Sequence, residues 1–112
     1  MRTLKHESRA LEWLLSGDPS IRWQTFCDLT DAPPEAVARE RERVMGDGWG
    51  KRLLGLQDPE ATWAGGLYTP KWTSTTYTML LLRDLGLPME NDQAVRACAL
   101  LLDRSFYHNG GV

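Results

Sequence analysis

Apolar residues recur at three- and four-residue steps along most of this chain, and Gly, Pro or an Asn-Asp pair repeatedly interrupts them. Leu4, Leu11, Leu14 and Leu15, separated by Glu7, Arg9 and Glu12, predict an amphipathic helix over 3–16 that Gly17 ends. Asp18-Pro19 starts a second helix, because Asp is a good N-cap and Pro fits the first helical position, where an N–H is not needed. Ile21, Trp23, Phe26, Cys27 and Leu29 make that helix apolar over more than half its circumference, which predicts cover on two sides. After Ala32-Pro33-Pro34 a third helix runs from Pro34 to about Met45. Its run Arg39-Glu40-Arg41-Glu42-Arg43 reads as a solvated face held by pairs such as Glu35 with Arg39, and its thin stripe of Val37, Val44 and Met45 predicts a peripheral position.

Gly46-Asp47-Gly48 and Gly50 precede a short helix, Trp49 to Gln57, whose Leu53, Leu54 and Leu56 are expected to point inward. From Asp58 to Trp72 about 15 residues form a loop, long enough that it is either functional or held by its own Trp63, Tyr68 and Trp72. Thr73 or Ser74 can cap the next helix, which carries Tyr77, Leu80, Leu81 and Leu85 on one face and stops at Gly86. Asn91 or Asp92 caps a last helix to Arg104, where Val95, Cys98 and Leu102 share a face with Ala94, Ala97 and Leu101 beside it. Gly110-Gly111-Val112 then repeats Gly65-Gly66-Leu67 after 45 residues, a period found in helix-pair repeats.

Composition narrows the functional classes. The formal charge is -2 with both signs interspersed, so no basic face for nucleic acid is expected. Apolar runs such as Met79 to Leu82 fall far short of the roughly 20 residues that cross a bilayer. Met1-Arg-Thr-Leu-Lys-His-Glu is too charged for a secretory leader, so a cytoplasmic chain is expected, with Cys27 and Cys98 as reduced, buried thiols. Five Trp predict that ring burial is a main source of stability.

Gln57, Asp58 and Trp63, after Leu53 and Leu54 and before Gly65-Gly66, resemble the QW-type repeat of the α/α-toroid superfamily, the squalene and terpenoid cyclases and the protein prenyltransferase β-subunits. Ala61 and Ala64 stand where that family usually has Gly. The resemblance covers 48–112 as one repeat and the start of a second, with 1–47 as a helical lead-in. It implies an all-α fold of antiparallel hairpins, one and a part repeats of a toroid. In the expected clasp of Gln57, Trp63, Gly65 and Gly66, the Gln amide bonds the free N–H groups of the following helix and the Trp covers it.

The family's acid clusters are missing, since every Asp stands singly, and no catalytic residue is assigned. Prenyltransferase-like zinc ligation lacks its spacing, and although Cys98, Asp103 and His108 are conceivable ligands, no metal or other cofactor is expected. The remaining candidates for ligand binding are Trp63, Tyr68, Lys71, Trp72, Ser74 and Tyr77, where a helix start, a cation and aromatic walls meet. Three readings follow: a non-catalytic or partial toroid-like protein that binds an apolar small molecule or a protein partner; the first segment of a cyclase-like enzyme whose acid lies past Val112; or a helical module that self-associates into a homo-oligomer or larger toroid.

Overall fold

Asp18 shows how local signals build this molecule. The computed structural model describes residues 5–104, with side chains from Arg9 onward. Six helices follow in order: α1 (Lys5–Leu15), α2 (Pro19–Leu29), α3 (Pro34–Gly46), α4 (Gly48–Gly55), α5 (Thr75–Leu85) and α6 (Asp92–Arg104). The fold is all-α, with no strand among the described residues. Asp18 caps α2 as expected, its Oδ2 accepting from the Ser20 N–H at 2.9 Å and the Ser20 hydroxyl at 2.6 Å. Its other oxygen accepts from the Trp49 N–H at 2.7 Å, so one carboxylate caps α2 and α4 together. Gly48 permits this: a Cβ there would run into the Asp18 carboxylate, and its φ is 68°.

Gly86 closes α5 in the left-handed conformation, φ 94°, and the Leu87 N–H reaches back to the Leu82 carbonyl at 3.1 Å. Asn91 caps α6 by accepting from the Ala94 N–H at 3.1 Å. Helix neighbours in sequence are neighbours in space, and α4 also touches α2. The result is elongated, 55 × 24 × 22 Å, with a radius of gyration of 17.0 Å against about 13 Å for a compact chain of this length.

The core runs through Val44, Leu54, Trp63, Leu82, Leu87, Ala94 and Ala97, flanked by Trp23, Leu53, Met79 and Leu85. Several inward faces differ from those expected. On α6 the small residues Ala94 and Ala97 are buried while Val95, Cys98 and Leu102 are exposed. On α5, Thr75, Thr78 and Leu82 are buried while Leu80 and Leu81 face outward, and Leu56, which follows the last residue of α4, is exposed. Helix α2 packs against α1, α3 and α4, in line with its wide apolar surface, yet Cys27 and Leu29 are exposed, and both cysteines are free and exposed, not buried. Of the five Trp, only Trp63 is fully buried and Trp23 is half-buried, while Trp13, Trp49 and Trp72 are exposed.

The charge run on α3 is not simply a solvated face. Glu40 turns inward and takes a two-pronged bond from Arg22, Nε at 3.0 Å and Nη2 at 2.8 Å. Arg22 also donates to the Leu15 carbonyl, which ties the end of α1 to α3 through α2. The paired guanidinium holds the Glu40 carboxyl below its ordinary value of 4.5. Arg41 turns inward too and Val44 is fully buried, while Arg39, Glu42, Arg43 and most other residues of α3 stay exposed, so α3 lies at the periphery as expected and is anchored inward at a few positions.

Candidate functional site

The loop between α4 and α5 spends its polar groups on itself. The Trp63 ring is 3% exposed; its indole N–H donates to the Leu53 carbonyl in the last turn of α4 at 2.7 Å, and its backbone N–H donates to the Thr75 hydroxyl at 2.9 Å. Trp63 thus joins the end of one helix to the start of the next. The N–H groups that open α5 are not free for a ligand: Thr75 N–H donates to Gly66 O at 3.0 Å and Thr76 N–H to Leu67 O at 2.9 Å. The hydroxyls of Thr75 and Thr76 donate to the same two carbonyls, each at 2.7 Å. Ser74 occupies the cap position, but its buried hydroxyl makes no hydrogen bond.

Gln57 serves a different partner from the one expected. Its amide donates to Ala61 O and Gln93 O, both at 3.1 Å, while Gln93 returns bonds to Gln57 Oε1 at 2.9 Å and Leu54 O at 2.8 Å. The pair locks the end of α4 to the first turn of α6, skipping α5. Asp58 holds the start of the loop by accepting from the Thr62 hydroxyl and backbone, which lowers its pKa from the ordinary carboxylate value. Ala61 and Ala64 have φ of 68° and 54°, the left-handed conformation that Gly adopts freely, and Gly65 has φ 69°.

The predicted ligand residues divide into two groups. Trp63 and Ser74 face the interior. Tyr68, Lys71, Trp72 and Tyr77 gather outside: the Tyr77 ring lies 5.3 Å from Tyr68 and 5.2 Å from Trp72, and the Lys71 ammonium lies 4.9 Å over the Trp72 ring. A hydrogen bond with Tyr68 raises the Tyr77 pKa above 10.0. Trp72 is 72% exposed and holds φ at 74°.

A second feature was not foreseen from sequence. A cleft of about 640 Å³ opens between α2, α3 and the turn after α5, with Trp23, Cys27, Val37, Pro34, Pro88 and Met89 among its walls. Its floor is a second indole clasp, in which Trp23 donates to Leu85 O and Arg41 Nε donates to Gly86 O, each at 2.8 Å. The Arg41 guanidinium also stacks 5.4 Å from the Trp23 ring centre. Gly86 rests on the Trp23 ring, which leaves no room for a Cβ. The signal in the sequence was a Trp and an Arg on neighbouring helices, a pairing that has no fixed spacing.

No three of His, Cys, Asp and Glu among the described residues stand together as metal ligands. His108 and the second repeat at Gly110-Gly111-Val112 lie outside the described residues. No described helix is long and apolar enough to cross a membrane. No protein-family model, curated protein or solved structure matches the chain.

Proposed function

We propose that this chain is a non-catalytic or partial member of the α/α-toroid class it resembles, and that it binds an apolar small molecule in the cleft beside Trp23. The observation that carries the reading is the cleft itself. Its volume of about 640 Å³ falls within the roughly 300–1,000 Å³ of small-molecule sites, and its walls are mainly apolar with a few polar groups. Arg41 and Trp23 are already fixed by hydrogen bonds, so the floor is rigid before a ligand arrives. Membership in the class is supported by the indole-clasped loop between two helices, and by left-handed Ala61 and Ala64 at positions where the family usually has Gly.

A second reading rests on Trp72. A Trp held in the left-handed region at a cost of about 1–2 kcal/mol, with its ring in water beside Tyr77 and Lys71, suits stacking against a flat or sugar-like ligand. One titration separates the two sites. Binding of 1-anilinonaphthalene-8-sulfonate, followed by its fluorescence and displaced by farnesol, is expected to weaken at least tenfold in Val37→Asp and to stay unchanged in Trp72→Ala. The opposite result would move the site to the loop and overturn the cleft reading.

A further inference from the structure

Helix α6 has two apolar faces, and only the small one is used. Ala94 and Ala97 pack inward at 8% and 0% exposure, while Val95 and Leu102 stand out at 50% and 58%, with Cys98 and Ala99 exposed between them. Residues 95, 98, 99 and 102 are spaced three, four and seven apart, so they form one stripe along the outer side of the helix. Arg96 and Asp103, seven residues apart, run along one flank of that stripe, and both are exposed. Among the described residues neither makes an ion pair.

This order of charges selects a partner. When α6 is laid against a parallel copy of itself about a two-fold axis, the two flanks that carry Arg96 and Asp103 fall on opposite sides of the seam and do not meet. Turned end for end about a two-fold axis between Cys98 and Ala99, it sets Val95 against the partner's Leu102 and brings Arg96 onto the same flank as the partner's Asp103, within about 3 Å of register and so within side-chain reach, and each contact occurs twice. The two helix macrodipoles then also run opposed. An arbitrary protein surface offers no such match, whereas a second copy of this chain supplies it automatically.

We propose that the chain self-associates as a two-fold dimer through the outer face of α6, antiparallel, with Cys98 next to the axis. The proposal is independent of the cleft, which lies against α2 and α3. It predicts a chemical signature, since only a residue beside the axis is brought close to its own copy. Cys98 forms a cross-link between chains under mild oxidation, the two thiols giving up their hydrogens to the oxidant, and Cys27 does not.

The test uses the full chain with Cys27→Ser, so that Cys98 is its one thiol. Mass is measured by light scattering across a hundredfold range of concentration, and cross-linking by diamide is followed on non-reducing gels. The expected result is a concentration-dependent dimer that cross-links through Cys98. Arg96→Asp raises the dissociation constant at least tenfold, and Arg96→Asp with Asp103→Arg brings it back to within about threefold of the starting chain. These positions are exposed, and circular dichroism verifies that each variant keeps its helices. A monomer at every concentration overturns the proposal. So does a dimer that neither cross-links at Cys98 nor responds to the paired charge reversal.

Discussion

The α4–α5 loop and the cleft beside Trp23 use the same device and leave opposite surfaces behind. In each, an indole N–H is given to a carbonyl in the last turn of another helix: Trp63 to Leu53, and Trp23 to Leu85. Around Trp63 the hydroxyls and carbonyls of residues 66, 67, 75 and 76 consume one another, and the ring disappears into the core. Around Trp23 the bonds fix only the floor, and an apolar space stays open above it. A clasp whose partners lie along one continuous stretch, from Leu53 to Thr76, closes on itself. One whose partners come from three separate segments leaves a gap where they diverge.

Trp63→Ala tests the closed clasp most severely. It removes a buried ring and the joint between α4 and α5, and is expected to lower stability by about 3–5 kcal/mol in urea unfolding. Gly86→Ala strikes the open clasp. The left-handed backbone and the Trp23 ring both oppose a methyl group there, so a loss of more than about 2 kcal/mol is expected, together with weaker binding of the hydrophobic probe. If Gly86→Ala were neutral, the floor of the cleft would not be the rigid element described.

Glu40→Gln removes the ionic support behind that floor. At pH 7 it should cost about 1.5–3 kcal/mol, because Arg22 loses a charged, largely buried acceptor. The Glu40 pKa is lowered by folding, so its contribution is complete above about 4.5 and disappears as pH falls through the lower folded value. Unfolding curves of the two proteins should therefore converge in acid, and a constant difference would mean the loss comes from packing. The smallest effect is expected from Trp72→Ala: an exposed ring contributes within about 0.5 kcal/mol of stability, which a shift in melting temperature would check.

Helix boundaries were legible in the residues because their causes are local. Asp18-Pro19, Gly86 and Asn91 act on N–H and C=O groups a few residues away, and each sits at the end it was expected to mark. The candidate site was only half legible. Tyr68, Lys71, Trp72 and Tyr77 do gather, yet the Thr-rich start of α5 that was expected to greet a ligand bonds its own loop. Nothing in the spacing of Gln57 revealed that its partner is Gln93 on α6.

By itself the sequence determined an all-α chain, where its helices begin and end, and which residues sit at the turns, since those depend on backbone groups within reach of a single side chain. Only the tertiary structure decided which face of each helix is inside. On α5 and α6 both faces are apolar enough to bury, and the choice of Ala94 and Ala97 over Val95 and Leu102 was made by the way the helices pack together. It decided also that Glu40 and Arg41, read from sequence as part of a solvated run, brace Arg22 and the end of α5. A charge pattern shows what a residue can bond, and the fold alone supplies the group that it meets.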